Sequence, residues 1–235
     1  RLQIQSSQNP LAHTFEEPEA EADRGVVEAI VTDIAEFRLE EVYRSLTATR
    51  MRYSSRDFCL RVIAPILREV GVLVEAGSMS IAQEHAFSAL LRDQLGSLIQ
   101  SFKVNGTKDS VVFATSEGDL HEFGILMGQI FCLNHGLKAH ALGSNLPLES
   151  LIFAVKALNA DHLVLSFAEL SLESYKVSPA AYLKGLRKSL PPKLNIFVGG
   201  GGVTQQILEE VGAQILYVES LEELDRVFER MTLHS

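Results

Sequence analysis

The chain has 235 residues, 46% hydrophobic and 22% charged, the balance of an ordinary folded protein. Its net charge of −9, from 21 Lys+Arg against 30 Asp+Glu, comes without an offsetting basic cluster, which argues against autonomous binding to a nucleic-acid backbone. No apolar run reaches the roughly eighteen residues of a membrane span, and Arg1–Ser7 lacks an apolar signal core. Cys59 and Cys132 are too few and too distant for a disulfide framework or a thiolate metal site, so a reducing cytoplasm is the expected setting.

Residues 1–23 combine polar residues with Glu16, Glu17, Glu19, Glu21 and Asp23, and read as a flexible acidic leader or linker. From 24 to 104 the apolar residues recur at helical spacing. Val26, Ile30 and Ile34 are followed by Leu39, Val42 and Leu46. Next come Phe58, Val62, Ile66, Val70 and Leu73, and then Ile81, Phe87, Leu91, Leu95 and Leu98. Breaks at Tyr53-Ser54-Ser55 and Ala76-Gly77-Ser78, with Ser80 as an N-cap, predict a four-helix bundle.

After Asn105-Gly106 the rhythm changes. Strands are predicted at Ser110–Ala114, Lys138–Leu142, His162–Leu165, Asn195–Val198 and Gln214–Tyr217. Helices are predicted near Leu120–His135, Leu148–Leu158, Pro179–Ser189, Val203–Val211 and Leu221–Met231. Residues 105–235 are thus expected to form a flavodoxin-like or Rossmann-like α/β domain with a five-stranded parallel sheet. Ligands in such sheets lie beyond the carboxyl ends of the strands.

Three expected strand ends carry unusual residues: Asp119, His121 and Gly124 after the first, Ser144-Asn145-Leu146 after the second, and Gly199–Gly202 after the fourth. Each has a plain structural reading. Asp119 can cap a helix, Ser144 can cap the helix that Pro147 opens, and the glycines can form a tight turn or a phosphate loop.

Together, Asp119-x-His121-x-x-Gly124, Ser144-x-Leu146 and Gly199-Gly200 resemble the D-x-H-x-x-G, S-x-L and G-G motifs of base-off, histidine-on cobalamin proteins. That family includes methionine synthase, mutases and corrinoid proteins, and the resemblance covers about residues 108–232. It implies a cobalamin cofactor (adenosylcobalamin or another B12 form), with His121 as the lower cobalt ligand and Asp119 orienting its ring. A neutral imidazole suits a borderline metal, and a carboxylate on its other nitrogen raises its basicity. The dimethylbenzimidazole tail, displaced from cobalt, then needs a slot lined by Ser144, Gly199, Gly200 and Gly201, with Ser166 as a further contact.

In the helical part, residues 63–71 leading into Ser80–Ser88 resemble the bundle of CarH-type light-sensing regulators of the MerR family. This second resemblance covers about residues 24–232. It implies that the bundle caps the upper cobalt face through a W-x9-E-H motif, whose end is Glu84-His85. Glu84 has a plain alternative as a surface residue paired with Arg92. The tryptophan position is Val74, the next position is Glu75 rather than histidine, and the chain contains no Trp. The upper face is therefore expected to be roomier. The function implied is a cobalamin-dependent sensor, not an enzyme, acting as a homo-oligomer and reaching DNA only through a domain absent from this chain. The alternatives are a corrinoid methyl carrier and the same scaffold holding another tetrapyrrole, such as a bilin.

Overall fold

The structure, a computed structural model, describes residues 17–103, 109–169, 177–212 and 215–233. The first helix, α1 (Glu17–Ala35), begins inside the stretch expected as a leader. Its Asp23 accepts a 2.5 Å hydrogen bond from Arg61 and a second from Tyr53. This anchoring explains why an acidic run is helical there: Asp23 is the partner of a mostly buried guanidinium.

α2 (Leu39–Arg50) and α5 (Ile81–Ser101) are two further members of the bundle. The remaining member is composite: α3 (Ser55–Asp57), a π-helical segment (Phe58–Ile63) and α4 (Ala64–Glu75) run on without a break. The wider π turn brings Phe58, Cys59, Val62 and Ile63 into the core. Ser80 and Gln83 form a reciprocal capping box that starts α5 where the sequence predicts.

The second half alternates β1 (Ser110–Ser116), α6 (Phe123–Asn134), β2 (Lys138–Leu146), α7 (Leu148–Ala157), β3 (His162–Ser166) and α8 (Pro179–Ser189). It ends with β4 (Asn195–Gly199), α9 (Gln205–Val211), β5 (Leu216–Tyr217) and α10 (Leu221–Leu233). The sheet is parallel with order β2-β1-β3-β4-β5, the flavodoxin-like arrangement. One face packs under Leu151, Tyr182, Leu183 and Leu186 of α7 and α8. The other packs under α6 and α10, where Ile130, Phe131 and Phe228 join one core with the bundle residues Phe58, Cys59 and Phe87.

Two boundaries differ from expectation in a way that shapes the site. β2 continues to Leu146, so Ser144-Asn145-Leu146 belongs to the strand rather than to a loop after it. Two register shifts against β1 accommodate the extension, Ala114 facing Gly143 and Ser116 facing Leu146. Gly143 (φ +88°) and Asn145 (φ +58°) supply the left-handed conformations that such bulges need. α6 begins at Phe123 rather than Leu120, leaving residues 117–122 as a loop over the carboxyl end of β1. Gln214, expected to begin the fifth strand, lies outside the described residues.

Candidate functional site

Asp119 is fully buried in that loop. One carboxylate oxygen accepts a 2.7 Å hydrogen bond from the Ala168 backbone N–H after β3. The other accepts from the His121 backbone N–H at 2.9 Å and lies 2.9 Å from His121 Nδ1. Every one of these contacts serves a carboxylate that burial would otherwise penalise. Asp119 is therefore not the cap of α6, whose N-cap position is Glu122 and has no side-chain cap bond. With Nδ1–H donating to Asp119, the lone pair of Nε2 is available, and the His121 side chain is 66% exposed.

The hydrogen bond that His121 donates to Asp119 raises the His121 pKa above the ordinary imidazole range. Partial burial opposes the rise, and the negative charges of Asp119 and Glu84 add to it. The stability gained from the charged pair is thus present below the unfolded-state pKa and is lost as pH rises through the raised one. Asp119→Asn is expected to lower the pH midpoint of His121 in the cofactor-free protein, read from its ring proton shifts by NMR. An unchanged midpoint would show that Asp119 does not control the ring.

Beside this loop, at the carboxyl ends of β3 and β4, lies a cavity of about 220 Å³. Gly124, Ile125, Ser166, Gly199, Gly200 and Leu224 are among its lining residues. An apolar cavity of roughly 150 Å³ holds a benzene ring, so this one has room for a fused bicycle. Ser144 and Leu146 are not among the lining residues, because β2 lies on the far side of β1 from β3 and β4. Nor does Ser144 cap α7, which starts at Leu148 with Pro147 at its N-cap position. Ser166, reached in the sequence only as a further contact, does line the cavity, as does Ser220.

The glycine run has a backbone reason. Gly202 N–H donates to the Phe167 carbonyl at 2.9 Å, and Gly199 O accepts from Phe167 N–H at 2.9 Å. A Cβ on Gly200 would sit 2.2 Å from that Phe167 carbonyl oxygen, and one on Gly199 would sit 2.9 Å from Val218 O. Gly201 is not among the cavity's lining residues, and a Cβ added to it would sit 3.3 Å from Glu169 Cβ. The run is a close crossing of two loops.

From the bundle, Glu84 on α5 is near enough for its negative charge to act on His121. Glu84 accepts from Ser88 Oγ at 3.1 Å and lies 3.4 Å from Nε2 of the exposed His85. It is not paired with Arg92, which instead makes a 2.5 Å bond to Glu122, next to His121. Val74 is half-buried in the last turn of α4 against the bundle core, and Glu75 is exposed. Neither supplies an aromatic surface or an imidazole.

Among the described residues no cluster of three His, Cys, Asp or Glu side chains can hold a metal ion. His135 is committed to Asp225 at 2.9 Å, and His162 to Asp109 at 3.1 Å. One carboxylate-backed imidazole is a poor cage for a bare cation. It suits a metal already held in a macrocycle, which needs only an axial ligand. The residues at this site therefore fit a corrinoid. Neither the Ala168 N–H nor Thr115 is given a role by the sequence. A backbone donor from another strand end and a threonine inside a strand carry no local signal.

Fold and site together define a cobalamin-binding region built from a helical bundle and a flavodoxin-like domain, and cobalamin is its cofactor. Residues 24–99 match the family described as the B12 binding domain. The chain is 32% identical to the HTH-type transcriptional repressor CarH of Myxococcus xanthus over 169 residues, 71% of this chain and 54% of that protein. It is 28% identical to the repressor CarA of the same organism over 219 residues, 92% of this chain and 71% of that protein. The chain thus spans about half the length of CarH. Among solved structures, the Methanosarcina barkeri monomethylamine corrinoid protein shares the fold, with a TM-score of 0.68 at 16% identity. The match covers 87% of this chain and 97% of that one. Among the described residues no helix is long and apolar enough to cross a membrane.

Proposed function

We propose that this chain is the cobalamin-dependent sensor portion of a transcription regulator, with His121 Nε2 as the lower ligand to cobalt. The observation that carries the reading is the buried Asp119 holding His121 Nδ1 at 2.9 Å while Nε2 remains available, in the loop that leads into Gly124 at the cavity wall. Gly124, Ser166, Gly199 and Gly200 line the slot for the displaced benzimidazole tail. Glu84 and His85 of the bundle would hold the cofactor from one side, and Asp119, His121 and Gly124 of the sheet domain from the other. A bound alkylcobalamin would supply a cobalt–carbon bond, and light or ligand exchange there would be the signal. Arg92–Glu122 couples α5 to the residue after His121, so a change at the ligand loop alters how the bundle sits on the sheet. Oligomerisation and DNA contact, through a domain outside this chain, are the outputs of that change. Similarity to CarH and CarA supports a regulator over an enzyme.

The test uses the protein loaded with adenosylcobalamin or methylcobalamin in the dark, with absorption and molecular mass recorded before and after illumination. The expected result is a change in both, by a route that Val74 and Glu75 make different from a Trp/His upper face. An unchanged mass together with methyl uptake onto the reduced cofactor from a methyl donor would overturn the sensor reading in favour of a corrinoid carrier.

A further inference from the structure

We propose that Asn145 is a positioning residue for the His121 imidazole, acting through the backbone of residues 118–119. The inference rests on the reading of His121 as the cobalt ligand. Asn145 sits at the second bulge of β2 with φ +58°, a conformation that asparagine tolerates better than most residues. The resulting twist turns its backbone N–H onto two acceptors, the Asp119 carbonyl and Thr115 Oγ1, both at 2.9 Å. Its side-chain Oδ1 accepts from the Gly118 backbone N–H at 2.8 Å.

Thr115, fully buried in β1, completes the clamp by donating its hydroxyl to the same Asp119 carbonyl at 2.5 Å. The Asp119 backbone is therefore fixed by two donors from below, and its carboxylate by Ala168 N–H from the side. Gly118, at φ +95°, has no side chain to restrain it. The Asn145 amide takes over that task. An imidazole that must meet a metal along one direction tolerates little rotation, and the direction of the His121 ring is set by Asp119. Asn145 itself is exposed and adds nothing to the core, so its conformation and its hydrogen bond are not explained by packing.

The test compares Asn145→Gly, which keeps the backbone freedom and removes Oδ1, with Asn145→Asp, which keeps an acceptor. Both are made in the full chain alongside His121→Ala. Three readouts are taken: amide hydrogen exchange at Gly118 without cofactor, the fraction of bound hydroxocobalamin showing the histidine-on spectrum, and its dissociation constant. Asn145→Gly is expected to speed exchange at Gly118, lower the histidine-on fraction and weaken binding about tenfold. Asn145→Asp is expected to restore all three, which a merely structural role would not produce. Wild-type values in Asn145→Gly, or equal losses in the Gly and Asp variants, would overturn the proposal. A histidine-on spectrum that survives His121→Ala would instead overturn the ligand assignment on which it rests.

Discussion

Replacing His121 by alanine is expected to abolish the histidine-on absorption of bound cobalamin and to weaken binding by about 100-fold, at or beyond the upper end for loss of a supporting partner. The size follows from the donor set. Among the described residues the other imidazoles lie away from the loop: His85 is on the bundle beside Glu84, His140 is within β2 opposite Val112, and His135 and His162 are held by carboxylates. The substitution leaves the fold nearly untouched. The lost ring is mostly exposed, and Asp119 keeps its bonds from Ala168 N–H and from the backbone N–H at position 121. Absorption titration with hydroxocobalamin, next to an unfolding curve, separates the two effects. Wild-type affinity in a folded His121→Ala protein would mean that the cobalt is held by something else.

Acid should mimic this loss. Because Nδ1–H is committed to Asp119, the proton that titrates His121 arrives at Nε2, the atom that would face the metal. A raised pKa means that this competition starts at a higher pH than it would for an unperturbed imidazole.

The elements and the site were not equally legible in the sequence. Helical spacing located the bundle because its faces are strongly apolar, and the period change after Asn105 announced the α/β half. The strand lengths were less visible. Gly143, Ser144 and Asn145 read as a loop because glycine and asparagine usually break strands, whereas here their left-handed conformations form the bulges that let β2 continue beside β1. Ser144 was expected at the tail slot from the S-x-L resemblance, with Ser166 as a further contact; of the two, Ser166 is the one at the cavity. The two serines are separated by β1 in the sheet order, a relation the sequence does not encode locally. Asp119 and His121 were legible through the resemblance of their D-x-H-x-x-G pattern to cobalamin proteins, and the loop conformation lets the carboxylate reach the ring two residues on. The Ala168 donor, forty-nine residues downstream, becomes visible only when β3 is laid beside β1.

Two glycines at the same cavity should respond oppositely to substitution, and the contrast tests whether the slot matters for the cofactor or only for the fold. Gly124 lines the cavity, and an added Cβ would meet Ser166 Oγ at 3.6 Å, an ordinary contact. Gly124→Val is therefore expected to fold with an unchanged urea midpoint. Its isopropyl group would take space from the slot, so the tail could no longer enter and His121, though intact, would find no vacant cobalt position. The expected reading is little or no histidine-on spectrum in a folded protein. Gly200→Ala should do the reverse. At φ +97°, with a Cβ 2.2 Å from the Phe167 carbonyl oxygen, the new methyl meets both backbone strain and overpacking. These together cost about 2–6 kcal/mol, a large share of the roughly 5–15 kcal/mol that holds a domain together. A lower unfolding midpoint without cofactor would be its signature. If Gly124→Val binds hydroxocobalamin in the histidine-on form as well as wild type does, the cavity is not where the tail goes, whatever His121 does above it.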